Sequence, residues 1–297
     1  MYQIVVVMFL WAICFPLITL GIDYAPHLTF ATLRAMLAGI TLLGIAKLLK
    51  RPPPKDKKTW LMLALIGLGA TTFGFFGMFH AAEFISPGIA TVIANTQPLM
   101  AALLASIFLK EQLGKRGAIG ILLGFIGIVM ISAQQMITSN TDTYITGIIY
   151  IFLAAIGITV SNVLIRYMSG KVDALWAMGW QLILGSVPLG LLALYTESPT
   201  EIIWSGEFII SLLGLALPGT ALVYLLWFNI LEKVELSRAN IFTFLAPIFG
   251  LTMGFIFYGE RLSLLMLTGA LVTIVGIIYM NLQKPSKLQE ISNATRS

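Results

Sequence analysis

The residues best suited to bind a small molecule are polar side chains inside long apolar stretches, in two sets that each stand close to a proline. The sets are Thr91, Asn95 and Gln97 with Pro98, and Asn240 and Thr243 with Pro247. A proline inside a helix removes one backbone hydrogen bond and kinks the helix, which leaves a carbonyl unsatisfied where there is no bulk water. The polar neighbours either satisfy this backbone and hold helices together, or line a wet cavity that binds substrate.

Helical spacing favours the second interpretation for most of these residues. Asn240, Thr243 and Pro247 fall on one stripe of a helix, and Thr91, Asn95 and Pro98 do the same. Gln97 points away from Asn95, so the two cannot serve one cavity equally. The two stripes are predicted to contribute to a substrate-binding site.

Arg34 is the one basic residue that lies plainly inside an apolar stretch, and no Asp or Glu does so. It stands about two helical turns from one end of its stretch, so its side chain can extend to water or cap a helix end. Alternatively, it holds a substrate carboxylate or an outer gate. Without acids inside the membrane, any ion coupling would depend on groups near the surface such as Asp23, His27, His80 or Glu83.

The elements that must position these residues are membrane-spanning helices. Hydrophobic residues make up 58% of the chain, charged residues make up 10%, and the mean hydropathy is +0.94. A globular protein in water cannot cover itself with so little polar surface. About ten apolar runs are long enough to cross a bilayer as helices. Their approximate spans are 3–22, 28–49, 60–79, 86–110, 114–133, 145–166, 174–195, 207–228, 235–259 and 262–282.

The basic residues lie between the apolar runs, in alternate loops, and not along one face as in a protein that binds nucleic acid. Placing both termini in the cytoplasm leaves only Arg261 among the outside loops, as the positive-inside rule requires. The sequence therefore predicts a multi-pass protein of the plasma membrane, with lipid as its main surroundings and no nucleic-acid partner.

The two halves of the chain resemble each other at an offset of about 149 residues. Pro98 then corresponds to Pro247 and Glu111 to Glu260. The first two runs match better at an offset of about 147, which places Arg34 opposite Gln181. Five spans in each half would make the halves enter the membrane in opposite directions. The predicted organisation is one repeat over 3–133, an outside linker over 134–144, a second repeat over 145–282 and a cytoplasmic tail over 283–297.

The most specific pattern in each half is a proline in the fourth span, then a glutamate, then a glycine-spaced fifth span. It occurs as Pro98 with Lys110-Glu111 and as Pro247 with Gly259-Glu260. In this the chain resembles the EamA-type ten-helix carriers of the drug/metabolite transporter superfamily, over nearly its whole length. Lys110 departs from the glycine that the family often has there. The resemblance implies an all-α integral membrane fold of two inverted five-helix repeats.

The resemblance also implies a carrier that moves small metabolites, commonly outward, through a cavity between the halves. It places the third and eighth spans beside that cavity, so Phe79, Tyr224 and Trp227 become candidates for substrate contact. Most aromatic side chains in membrane proteins serve packing or the interface instead. Amino acids or related compounds are the expected cargo if Arg34 binds a carboxylate. Gly120 and Gly124 permit close helix contact, within the fold or in a homodimer.

Other functions find less support in the sequence. There is no GxxxxGK[ST] nucleotide-binding motif and no HExxH motif, and we expect no cofactor and no metal. Glu111 and Glu260 stand at span ends, where a structural role in a turn or between helices is the expectation. The alternatives to a carrier are a membrane-embedded enzyme and a non-transporting receptor or assembly protein. The enzyme would need clustered acids or histidines near one face of the membrane, and none stands out. The inverted repeat disfavours the receptor or assembly protein.

Overall fold

The computed structural model describes residues 2–84, 94, 96–109, 111, 114–136, 144–258 and 263–282. These residues form α-helices, π-helical and 3-10 segments, and no β-strand. The helices of the first half are α1 (Tyr2–Ile22), α2 (His27–Leu48), α3 (Lys57–Ile66), α4 (Gly74–Phe84), α5 (Gln97–Phe108) and α6 (Lys115–Met136). Those of the second half are α7 (Tyr144–Met168), α8 (Ala174–Thr196), α9 (Gly206–Ala216), α10 (Val223–Lys233), α11 (Leu236–Asn240), α12 (Leu245–Tyr258) and α13 (Leu264–Asn281).

Six helical segments in the described part of the chain are long and apolar enough to cross a membrane. They are Tyr2–Ile22, His27–Leu48, Lys57–Ala81, Ile145–Met168, Ala174–Thr196 and Gly206–Lys233. Gln97–Phe108 and Leu264–Met280 are shorter apolar helices. The all-α membrane architecture agrees with the sequence, and the total of ten spans stays a prediction.

Two spans contain π-helical segments where their α-helical hydrogen bonding is interrupted. Gly67–Phe73 joins α3 to α4, and Leu217–Leu222 joins α9 to α10. Pro218 explains part of the second interruption, because it cannot donate the hydrogen bond that an α-helix would need there. A 3-10 segment, Ile241–Phe244, joins α11 to α12.

Helices from the two halves of the chain pack against each other throughout. The closest pairings are α2 with α8, α6 with α13, and α4 with α7, while α1 packs against α9, α10 and α12. Glycines permit the tightest contacts. A Cβ atom added at Gly120 would lie 2.7 Å from the Gly276 carbonyl oxygen, and one at Gly269 would lie 2.7 Å from the Gly127 carbonyl oxygen. The α2–α8 and α6–α13 pairs thus hold the two halves of the chain together.

Candidate substrate-binding site

Arg34 lies at the centre of a buried group of residues from four spans. Its side chain projects from α2, is 6% exposed, and donates from Nε to Thr220 Oγ1 at 2.7 Å. Its guanidinium carbon stands 4.8 Å from the centroid of the Phe75 ring, in cation–π geometry. Nη2 lies 3.8 Å from Cys14 Sγ. The interpretation that Arg34 extends to outside water is therefore wrong, because Thr220 and Phe75 hold the guanidinium within the protein.

Gln181 on α8 contacts the π-helical segment Gly67–Phe73, as Arg34 contacts the segment Leu217–Leu222 through Thr220. It is fully buried, and its Oε1 accepts a hydrogen bond of 3.0 Å from Thr71 Oγ1. Its Nε2 is buried without a hydrogen-bond partner. A buried donor in this state costs about 1–3 kcal/mol of folding free energy. A buried group in this state calls for an explanation, and contact with a ligand is one, so the Gln181 amide is a candidate for ligand contact.

The two threonines belong to the two π-helical segments. Thr71 lies in Gly67–Phe73 and Thr220 lies in Leu217–Leu222, about 149 residues apart. The Thr220 hydroxyl donates in turn to the Leu215 carbonyl oxygen at 2.7 Å. Turns of π-helix occur frequently at functional sites, where they redirect side chains. Neither threonine was predicted from the sequence, although their separation matches the offset between the halves and was a signal that could have found them.

The three aromatic candidates lie in different surroundings. Phe79 and Tyr224 are 8% and 9% exposed, on the spans that carry Thr71 and Thr220. Trp227 is 1% exposed, and its ring centroid lies 5.5 Å from that of Trp11. Its Nε1 donates to Asn162 Oδ1 at 2.9 Å. Because its only donor is already bonded, Trp227 is best explained by packing. Phe79 and Tyr224 stay candidates for the wall of the site.

Asn240 and Thr243 stand where α11 gives way to the 3-10 segment. Asn240 is fully buried, and neither its Nδ2 nor its Oδ1 has a hydrogen-bond partner. The Thr243 hydroxyl donates to the Asn240 carbonyl oxygen at 2.7 Å. The Thr243 hydroxyl is thus bonded to the backbone of its own turn. This supports a structural role for Thr243 and not contact with a substrate. The Asn240 amide retains its capacity to bind a ligand.

The two prolines do not kink the middle of a continuous α-helix in the described residues. Pro98 stands in the first turn of α5, directly after a turn at Thr96, and Pro247 stands in the first turn of α12. The first turn tolerates proline because its N–H groups have no partner within the helix. Gln97 begins α5 and is partly buried. Thr91 and Asn95 lie outside the described residues.

A sequence profile of the EamA-like transporter family matches residues 1–133 and 145–282. The chain belongs to this family. A chloroplastic WAT1-related protein of Arabidopsis thaliana is 30% identical over 261 residues, covering 84% of this chain and 62% of the plant protein. The chain thus spans less than two thirds of that relative.

Two further similarities extend over more of both chains. A Bacillus subtilis protein named uncharacterized transporter YvbV is 29% identical over 279 residues, which cover 92% of this chain and 88% of YvbV. One crystal structure superposes with a TM-score of 0.82, over 95% of this chain and 97% of the other, at 16% sequence identity. At that identity the likeness shows the fold alone. The protein is a membrane transporter, as its family and its transporter-named relatives indicate.

Glu111 links the two halves of the transporter at one end of the helices. Its Oε1 accepts from the Leu236 amide at 2.8 Å, and its Oε2 accepts from the Ser237 amide and hydroxyl at 3.1 and 2.8 Å. Arg166 Nε lies 3.8 Å from Oε1. The carboxylate therefore caps the N-terminus of α11, where the helix dipole favours negative charge. This confirms the expected structural role between helices for Glu111; Glu260 lies outside the described residues.

A second carboxylate cap stands at the opposite end of the helices, beside the two histidines. Glu197 accepts from the amides of Leu28 and Thr29 at 2.9 and 2.7 Å, and its Oε1 lies 3.6 Å from His27 Nδ1. The centroids of the His27 and His80 rings are 5.1 Å apart. The histidines named as coupling candidates thus lie together, and Glu197, which the sequence analysis did not single out, joins them.

No group of three or more histidine, cysteine or acidic side chains in the described part of the chain is arranged to hold a metal ion. A cavity of 680 Å³ opens where α2 ends and α8 begins. It is lined by side chains of both charges, among them Arg51, Lys171, Asp173 and Glu232. This cavity lies at the end of the molecule opposite the histidines.

Proposed function

We propose that this transporter exports small organic metabolites, such as amino acids or related compounds, by alternating access to a site around Arg34. The observation that carries the proposal is the state of that residue. Arg34 is buried, and no carboxylate among the described residues lies within ion-pair distance of it. A buried charge without a counter-ion is costly, so an anionic ligand is the natural partner for this guanidinium.

The helix pairing supports two inverted five-helix repeats as the basis of this movement. Exchanging the halves of the chain maps the α2–α8 and α6–α13 pairs onto themselves. It also exchanges the contact of Arg34 with Thr220 for that of Gln181 with Thr71. Carriers built in this way expose a central site to each side by rocking one part against the other.

The positions of the basic side chains support one orientation of the transporter in the membrane. The end with the 680 Å³ cavity carries Arg51 and Lys171, and the positive-inside rule assigns such an end to the cytoplasm. At the other end, the centroid of the His80 ring lies 4.3 Å from that of Phe76 and 5.3 Å from that of Tyr150. We therefore infer that this end of the molecule and both termini lie in the cytoplasm, with the transporter in the plasma membrane.

The test begins with an untargeted comparison of metabolites outside cells with and without the protein, which identifies the cargo. Flux of that cargo into proteoliposomes is then measured for Arg34→Lys. Lysine keeps the charge but loses the planar donor fork, so we expect flux to fall at least about tenfold at unchanged thermal stability. Arg116→Lys is the matched control, because Arg116 is exposed in the first turn of α6 and lines no part of the cavity. Full activity of Arg34→Lys would contradict a role of Arg34 in holding a carboxylate.

Asn95 and Asn240 are tested in the same assay. Replacing either by alanine should reduce flux while leaving membrane insertion intact, because each would supply an amide to the cargo. Normal transport by both variants would remove them from the proposed site.

A further inference from the structure

The cavity of 680 Å³ where α2 ends and α8 begins lies at the level of the membrane surface. Both helices are long and apolar enough to cross the membrane, and the cavity stands at the end of one and the beginning of the other. Trp60, Tyr167 and Trp176 belong to helical turns beside the same two connections of the chain. Because tryptophan and tyrosine are enriched at the membrane–water interface, this end of the molecule lies among lipid headgroups.

The cavity is separate from the group of residues around Arg34. Ile45 of α2 lines the cavity, and Arg34 stands 11 residues earlier in the same helix. That separation corresponds to a rise of about 16 Å along an α-helix. A ligand in the cavity would therefore occupy a second site.

Charged side chains of both signs line the cavity. Arg51 and Lys171 are basic, and Asp173 and Glu232 are acidic. The Asp173 side chain caps the N-terminus of α8, and its Oδ2 lies 3.9 Å from Arg51 Nε. Glu232 forms no ion pair with any described residue. The cavity therefore presents basic groups to an anion and one available carboxylate to a cation.

The basic side chains are held in place by aromatic ones. Lys171 Nζ lies 3.5 Å from the centroid of the Tyr167 ring, and Lys58 Nζ lies 6.0 Å from the same centroid. The Trp176 indole donates from Nε1 to the Arg51 carbonyl oxygen at 2.9 Å, which fixes the chain after α2 against α8. Basic pockets between helices at the membrane surface bind the phosphate groups of lipids.

The rest of the cavity wall is apolar and continues onto the surface of α2. Ile45, Leu49, Leu225 and Phe228 contribute to the wall. Leu49 and the neighbouring Leu48 are 57% and 82% exposed. A volume of 680 Å³ lies within the range of small-molecule sites, about 300–1,000 Å³. The cavity can therefore hold a polar headgroup while an attached hydrocarbon chain lies along the end of α2.

We propose that this cavity binds a phospholipid whose headgroup carries both a phosphate and an ammonium group, as phosphatidylethanolamine does. The phosphate meets Arg51 and Lys171, the ammonium group donates to Glu232, and an acyl chain covers the exposed leucines of α2. Phosphatidylcholine has no N–H group to donate, and phosphatidylglycerol has no cation for Glu232. This inference does not depend on the identity of the transported cargo.

Native mass spectrometry of the purified transporter tests the headgroup. The protein is mixed with equal amounts of phosphatidylethanolamine, phosphatidylglycerol and phosphatidylcholine that have the same acyl chains. Partly exposed charge pairs each contribute up to about a factor of five in affinity. We expect phosphatidylethanolamine to be bound at least about threefold more than either of the other lipids. This comparison uses the unaltered protein and needs no variant to fold.

Glu232→Gln tests the recognition of the ammonium group. It should remove the preference for phosphatidylethanolamine over phosphatidylglycerol and leave the total amount of bound lipid similar, because the phosphate contacts are unchanged. Glu207→Gln is the matched control, since Glu207 is exposed at the opposite end of the same span. A preference that survives Glu232→Gln would contradict the role of Glu232.

The double variant Arg51→Gln, Lys171→Gln tests the recognition of the phosphate. Binding of all three lipids should fall at least about threefold, because each of them carries a phosphate. Lys115→Gln with Arg116→Gln is the matched control. It removes the same charge from exposed positions in the first turn of α6, which line no part of the cavity. Equal lipid binding by the two double variants would contradict the phosphate site.

Glycerophosphoethanolamine, which has the same headgroup and no acyl chains, distinguishes a lipid from a soluble ligand. It should not displace phosphatidylethanolamine at tenfold excess, since each buried CH₂ group of an acyl chain strengthens binding. Displacement at that excess would show that the site serves a soluble molecule. Equal binding of the three lipids, or a preference for phosphatidylglycerol, would overturn the proposed headgroup. Neither result bears on the carrier function, which is tested by flux.

Discussion

The α6–α13 and α2–α8 pairs differ in the residue types that the two halves of this transporter contribute to them. Where α6 crosses α13, glycine meets glycine in both symmetric contacts, Gly120 with Gly276 and Gly127 with Gly269. Between α2 and α8, the corresponding positions hold Arg34 and Gln181, of which only one is charged. The α6–α13 crossing thus has glycines from both halves, while the α2–α8 pair has a charged residue from one half only.

The largest expected effect comes from breaking the symmetric crossing. A Cβ atom at position 276 would lie 2.6 Å from the Gly120 carbonyl oxygen and 2.7 Å from the Gly124 nitrogen, both of them backbone atoms. Gly276→Ala must therefore separate α6 from α13, which should cost about 1–3 kcal/mol or more of unfolding free energy. Thermal unfolding of the purified protein measures the loss. Gly44→Ala is the control, because no atom lies within 4 Å of the added Cβ.

A smaller effect is expected where the symmetry is already broken. Thr220→Val removes the acceptor of a charged donor, and Thr71→Val removes the partner of a neutral amide. Hydrogen bonds to charged groups contribute about 1.5–3 kcal/mol and neutral ones about 0.5–1.5 kcal/mol. Substrate flux should accordingly fall about ten- to a hundredfold for Thr220→Val and about two- to tenfold for Thr71→Val. Equal losses would mean that the charge of Arg34 does not distinguish the two positions.

The smallest effect is expected at Thr243, whose hydroxyl serves the backbone of its own turn. Thr243→Val should leave flux within about twofold of the unaltered protein and lower thermal stability slightly, because the lost bond is local and neutral. A tenfold loss of flux at normal stability would instead indicate that Thr243 contacts the substrate.

The length of the apolar runs was enough to predict an all-α membrane protein, because that length is a property of single segments. It could not predict that Arg34 points inward, since the direction of a long side chain depends on its neighbours from other spans. Thr71 and Thr220 were missed for a similar reason. A threonine in an apolar helix has no distinguishing pattern until the residue that bonds to it is known.

The proline interpretation shows another limit of the sequence. Pro98 and Pro247 were expected to kink continuous helices, and the structure places both in the first turn of a helical segment. A sequence with a proline in the first turn of a helical segment has the same composition as one in which the proline bends a longer helix. Sequence alone does not distinguish the two, because the choice depends on how other spans satisfy the backbone.

The π-helical segment Gly67–Phe73 changes how a systematic substitution scan of its span should be interpreted. Each hydrogen bond of a π-helix encloses one more residue than that of an α-helix, so side chains after the segment are rotated relative to those before it. A helical wheel drawn with one period from Lys57 to Phe84 would therefore misplace either Thr71 or Phe75. Scanning data from α3 and α4 should form two periodic patterns that are out of phase, with the shift at this segment.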